Sequence, residues 1–113
     1  GIEVWGTGTP RREFLHVDDL ADACVFLMQR YEDFEHINIG SGEDIEIGKL
    51  AKLVCEVVGC GQDIHLDTEK PDGTPRKLMS ADKLQALGWM PKIELKDGLT
   101  ATYKWFQEKY PSA

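Results

Sequence analysis

The chain has 113 residues, of which 42% are hydrophobic and 29% charged, and its formal net charge is −7. That length suffices for one small domain, and the acidic balance speaks against a nucleic-acid binder, which needs a basic face to neutralise phosphates. No apolar run approaches a membrane span and no charged-then-apolar leader opens the chain, so the expected compartment is the cytosol, with no membrane partner.

Residues 1–11, with three glycines and one proline, read as a short extended piece followed by a loop. Residues 12–17 alternate in character and predict a short strand. Asp18 offers an N-cap carboxylate, and Asp19 and Asp22 put negative charge in the first turn of a predicted helix over 18–31. Leu20, Ala23, Cys24, Leu27, Met28 and Tyr31 recur at helical spacing there, and Val25 and Phe26 widen the apolar girth enough to predict burial on two sides. His-Ile-Asn-Ile-Gly at 36–40 reads as a strand and 41–44 as a turn.

The next helix, 46–58, carries the stripe Ile47, Leu50, Ala51, Val54, Val57, Val58 and stops at Gly59. Residues 63–67 alternate like a strand, and 68–78 form a polar loop. Ser80 caps a short helix at 81–87 that Gly88 ends. Leu95, Leu99, Thr102, Tyr103 and Phe106 mark a last helix at 95–109. The order β-α-β-α-β-α-α predicts an α/β domain with parallel pairing. The strands are few and short for a parallel sheet, which needs neighbours and covered faces, so the chain is expected to be a piece of a larger protein.

Three cysteines, Cys24, Cys55 and Cys60, without a CxxC pair, argue against a disulfide framework or zinc site. Cys24 and Cys55 fall on apolar helix faces and are expected to be buried; Cys60 sits in a Gly-rich turn. No Ser-His-Asp set, nucleophile elbow or metal-ligand cluster can be assembled. His16 reads as structural, and Trp89 and Trp105 as packing residues.

Two segments can carry chemistry. In Trp5-Gly-Thr-Gly-Thr-Pro-Arg-Arg, the glycines permit close backbone approach, Arg12 can fork onto a phosphate or carboxylate, and Trp5 can stack on a base or sugar. On spacing alone a plain turn with a paired Arg and a core Trp explains it as well, and it lacks the GxGxxG spacing of a dinucleotide site. In Lys70-Pro-Asp-Gly-Thr-Pro-Arg-Lys, two prolines stiffen a loop that ends in Arg76 and Lys77, and a solvated connector is the competing reading. Both segments repeat Gly-Thr-Pro followed by adjacent basic residues. Two converging cationic loops would match the charge of a pyrophosphate.

With residues 5–23 and 70–89 read together, the sequence resembles the GDP-L-fucose synthases, a branch of the extended short-chain dehydrogenase/reductase family. The stretch Arg-Glu-Phe-Leu-His-Val-Asp-Asp (12–19) is shared loosely by many sugar-nucleotide epimerases and dehydratases; the loop at 70–77 is more particular to this branch. The resemblance implies an NADPH-dependent 3,5-epimerase and 4-reductase, taking GDP-4-keto-6-deoxymannose to GDP-L-fucose as a cytoplasmic homodimer. It makes residues 1–113 the carboxy-terminal GDP-sugar-binding domain, with remnants of the Rossmann sheet, 37–42 supplying that sheet's last strand.

Carried over by position, it assigns substrate contacts to Trp5, Arg12, Asp72, Arg76 and Lys77. It places the NADP fingerprint, the Tyr-x-x-x-Lys pair with its Ser, and the epimerising Cys and His in sequence that precedes these residues in such enzymes. Tyr31 leads to Glu35 and Tyr103 to Gln107, and no Cys or His here matches. Neither cofactor binding nor catalysis is therefore expected of these residues alone. The rival readings are a fragment of another nucleotide-sugar epimerase or dehydratase, and a non-catalytic dimerisation module.

Overall fold

The computed structural model describes residues 2–33, 35–61, 64–77 and 80–111. Nine elements follow in order: β1 (Ile2–Trp5), β2 (Arg11–Glu13), α1 (Val17–Arg30), β3 (Asp44–Glu46), α2 (Ile47–Val58), β4 (Ile64–Asp67), β5 (Arg76–Lys77), α3 (Asp82–Ala86) and α4 (Leu95–Lys109). They build two small sheets. β1 and β4 pair in parallel, with Ile2 opposite Ile64 and Trp5 opposite Asp67. In the second sheet β2 is central, antiparallel to β3 and parallel to β5. Among the described residues no helix is long and apolar enough to cross a membrane.

The crossover from β1 to β4 carries α2, which packs on β1 and against α4. Val4, Ala51 and Cys55 are buried in this layer. A second core forms where Ala23 of α1, Leu84 of α3 and Trp89 meet, with Leu15, Phe26, Leu27, Ile37 and Ile39 packed on them. Two polar anchors join α1 to the segment before α4. The Trp89 indole donates to Asp22 at 2.9 Å, and this bond above all holds the Asp22 carboxyl below the usual carboxylate range. Buried Asp19 accepts from the Lys92 and Ile93 backbone N–H groups at 3.0–3.2 Å.

Helix α4 keeps its predicted extent; α2, expected from 46, starts at Ile47 because Glu46 belongs to β3, and Gly59 ends it in the left-handed conformation. The short helix expected at 81–87 is Asp82–Ala86 with Ala81, not Ser80, at its N-cap position; Ser80 Oγ accepts from the Asp82 N–H at 3.3 Å. The strand forecasts fare less well. The one expected over 12–17 is only Arg11–Glu13: Asp44, opposite Glu13, is where the antiparallel partner begins, and no described residue continues the ladder beyond it. The helix behind it starts at Val17 and is capped by His16, whose Nδ1 accepts the Asp18 N–H at 3.0 Å; Asp18 is not the cap.

Residues 36–40 form no strand, although the resemblance made 37–42 the last strand of a sheet. Ile37 and Ile39 do point to the core, but no strand among the described residues pairs with them. Cys24 and Trp105, both expected inside, are exposed. So is much of α1: Leu20, Val25 and Met28 are 42%, 53% and 85% accessible, and two-sided burial does not occur within this chain. Asp63, the first residue of the strand expected at 63–67, lies outside the described residues, as does Leu78 at the end of the polar loop.

Candidate functional site

The two Gly-Thr-Pro segments are stitched side by side. β2 and β5 run parallel, with Arg11 opposite Arg76 and Arg12 opposite Lys77. The Arg11 N–H donates to Pro75 O at 2.8 Å. The stitch continues into the loops that precede these strands. The Thr7 N–H and hydroxyl each donate to the Asp72 carboxylate at 2.8 Å. Gly6 makes this possible: its φ is 82°, and a Cβ there would collide with the Asp72 carboxylate.

Four cationic side chains thus crowd two short strands; Asp44 bridges two of them, and Glu46 lies 3.7 Å from Arg11. Asp44 of β3 accepts from Arg11 Nε at 2.9 Å and from Arg76 Nε at 2.6 Å, with only 3% of its side chain accessible. The Arg11 hydrogen bond, more than the partial burial opposing it, holds the Asp44 carboxyl below the usual carboxylate range, and Arg76 adds to the effect. Arg12 is oriented by backbone alone, Nη1 donating to Arg11 O at 2.7 Å and Thr74 O at 2.6 Å. Lys77 is exposed and has no ion-pair partner among the described residues. Trp5, 64% accessible, ends the neighbouring strand β1, with the Lys70 ammonium 5.4 Å from its ring centroid.

The five predicted residues therefore fall in three places. Arg12, Arg76 and Lys77 stand together on β2 and β5, while Asp72, exposed, ties the loops through Thr7. Trp5 lies on the adjoining sheet. Arg12 also borders a cleft of about 750 Å³ together with Phe14, Ser41 and the 90–96 segment. A second cleft, about 490 Å³, opens between the Thr7–Thr9 loop and α2, with Lys49 and Lys52 on its wall.

Sequence reasoning missed Asp44, Lys70 and the two α2 lysines. Asp44 gave no local signal, because it follows Glu43 in a polar turn and only the pairing of β3 with β2 sets it beside the basic residues. Lys49 and Lys52 sit on the polar side of a well-marked amphipathic helix, where lysines are the rule, so nothing singled them out.

Dinucleotide binding needs a glycine turn that opens onto an unsatisfied helix N-terminus. Here the first N–H groups of α2 are already used, Ile47 donating to Pro10 O at 2.9 Å and Gly48 to Gly8 O at 2.8 Å. The start of α2 therefore offers no free pair of N–H groups to a pyrophosphate. The described residues also hold no group of three or more His, Cys, Asp or Glu arranged for a metal ion.

Residues 1–40 match the model of the NAD dependent epimerase/dehydratase family. The chain is 62% identical over 105 residues to GDP-L-fucose synthase 1 of Arabidopsis thaliana, covering 93% of this chain and 32% of the relative. Among solved structures it is similar to a GDP-mannoheptose C4 reductase from Campylobacter jejuni with NADP bound, at 44% identity and TM-score 0.80 over 93% of this chain and 34% of that one. A GDP-L-fucose synthetase from Naegleria fowleri bound to NADP gives TM-score 0.90 at 28% identity, over 98% of this chain and 36% of that one. The chain thus spans about a third of the length of the curated relatives it matches. The resemblance to the GDP-L-fucose synthases runs through nearly all of it, and its fold is a portion of the extended short-chain dehydrogenase/reductase architecture.

Proposed function

We propose that this chain is the GDP-sugar-holding portion of a cytoplasmic, homodimeric GDP-L-fucose synthase, an enzyme that converts GDP-4-keto-6-deoxymannose to GDP-L-fucose with NADPH. The observation that carries the reading is the register of β2 on β5, with Arg12 beside Lys77 at the meeting point of two stiff Gly-Thr-Pro loops. A diphosphate supplies the anionic charge that such a pair lacks. Trp5, exposed and already bearing one cation on its face, offers a flat surface to the base or sugar. Asp72 serves by holding the loops in register, and Arg76 by its bridge to Asp44.

In this reading the residues contribute binding and orientation. They hold the remote diphosphate so that the ketosugar is presented to groups carried elsewhere on the longer polypeptide, and that binding energy is realised as positioning. Hydride and proton transfers have no candidate residues here, and this portion alone is expected to show no turnover.

The test is steady-state kinetics in the full-length protein. Arg12→Ala and Lys77→Ala are each expected to raise KM for the GDP-sugar roughly tenfold to a hundredfold, the scale of one lost charge-assisted contact. Unchanged KM in both variants would sink the phosphate-clamp role. Calorimetric titration of the same variants with GDP separates diphosphate binding from sugar recognition. The 44% identity to a reductase of a different GDP-sugar keeps a sibling sugar nucleotide as the second reading. Turnover of the 4-keto-6-deoxy sugar against a heptose analogue decides between them.

A further inference from the structure

Two thiols face one another where α2 ends. The Cys60 and Cys55 sulfurs lie 2.9 Å apart. This closeness follows from how the helix stops. Gly59 takes the left-handed conformation, with φ 76° and ψ 28°, and both its N–H and that of Cys60 return to Cys55 O, at 2.8 and 3.3 Å. In such a termination the side chain following the left-handed glycine meets the one a turn before the helix end. That contact is usually apolar; here both partners are cysteines. Cys55 is 2% accessible, and Cys60 is exposed.

We propose that Cys55 and Cys60 form a thiol–disulfide modification site, closing to an intramolecular disulfide by exchange with a low-molecular-weight disulfide such as oxidised glutathione. The Cys60 thiolate, the accessible one, attacks a sulfur of that disulfide, whose S–S bond breaks and releases one glutathione thiolate. The Cys55 sulfur then attacks Cys60 in the mixed disulfide, forming the protein S–S bond and expelling the second glutathione. The protein gives up two electrons and two protons, and the small disulfide leaves as two thiols.

The sulfurs must close from 2.9 Å to a bond of about 2.05 Å. The turn at Gly59 already holds the two backbones together, so side-chain rotation supplies most of that shift. A burial mismatch favours ring closure over a lasting adduct, because Cys55 is out of reach of a bulky reagent yet in contact with Cys60. The site has a structural neighbour: Cys55 also lines the cleft between the Thr7–Thr9 loop and α2, so oxidation ties one wall of that cleft to the outer turn. The proposal stands apart from the GDP-sugar reading.

The experiment equilibrates the full-length protein across graded ratios of reduced to oxidised glutathione, quenches, alkylates under denaturing conditions and digests with trypsin. Lys52 and Arg76 bracket both cysteines and Lys70 precedes Pro71, so both stay on the 53–76 peptide. The expected product is that peptide lighter by two hydrogens, unalkylated, and restored to two alkylated thiols by dithiothreitol. Cys60→Ser, an exposed change whose fold is checked by circular dichroism, is expected to leave Cys55 unmodified by oxidised glutathione. Glutathione retained on Cys60 beside an alkylated Cys55 would overturn the proposal. So would two alkylated thiols at every ratio, or a Cys55 that takes up glutathione in Cys60→Ser as fast as the wild-type pair oxidises.

Discussion

Arg11 and Arg76 stand opposite one another across the β2–β5 pair and would repel were Asp44 not bonded to both. Asp44 therefore positions the cluster without needing to touch a ligand. Asp44→Asn keeps the shape and removes the charge. In the full-length protein KM for the GDP-sugar is expected to rise severalfold while kcat changes less, because the cations lose register and the reacting groups do not. The pH dependence follows from the lowered carboxyl pKa. A folded-state value below the unfolded one means that the unfolded chain binds the proton more readily. The stabilisation is present above the usual carboxylate range and lost as pH falls through the folded value. Denaturant midpoints of wild type and Asp44→Asn should therefore differ at neutral pH and converge below about pH 4. A gap that stays constant down to pH 3 would contradict the assignment. Asp19 offers a separate check on stability. Its carboxylate satisfies two backbone N–H groups in a buried setting, so Asp19→Ala should cost about 1.5–3 kcal/mol in urea unfolding, with an unchanged m-value.

At the scale of elements, the loop pair depends on Gly6. Alanine there meets both an unfavourable positive φ and the Asp72 carboxylate. Gly6→Ala is expected to lower stability by at least about 1–2 kcal/mol and to raise KM together with it; a variant with wild-type melting and KM would show that the loops do not need this contact. The helices were legible because their signals are local: an apolar stripe and a stop glycine define α2, and a stripe defines α4. The strands were not, because a strand exists only where a partner completes its ladder. Residues 14–17 and 36–40 have the alternation without a partner among the described residues. The same limit applies to the site. The repeated Gly-Thr-Pro motif announced two basic loops, but only the register of β2 on β5 brings Arg12 beside Lys77. Nor did the motif announce that Asp72, which the resemblance made a substrate contact, also takes two hydrogen bonds from Thr7.

The whole molecule is a slab of 48 × 35 × 17 Å with a radius of gyration of 16.7 Å, against about 13 Å for a globular chain of this length. Its accessible surface is 8210 Å², where a monomer of this mass is expected to show about 6,200 Å². The excess of about 2,000 Å² is surface that a flat slab leaves uncovered. Much of it is apolar, with Val17, Val25 and Met28 of α1 all more than half exposed. If the rest of the longer polypeptide covers this face, the 113-residue chain expressed by itself should be sticky in a concentration-dependent way. Sedimentation velocity is expected to show self-association and a hydrophobic dye to bind strongly. The full-length protein should bind little dye, and its α1 amides should exchange more slowly than those of the isolated chain. A monomeric, dye-silent fragment with protected α1 amides would mean that the slab is a complete fold. The exposed helix would then have to be explained without the missing two-thirds of its relatives' length.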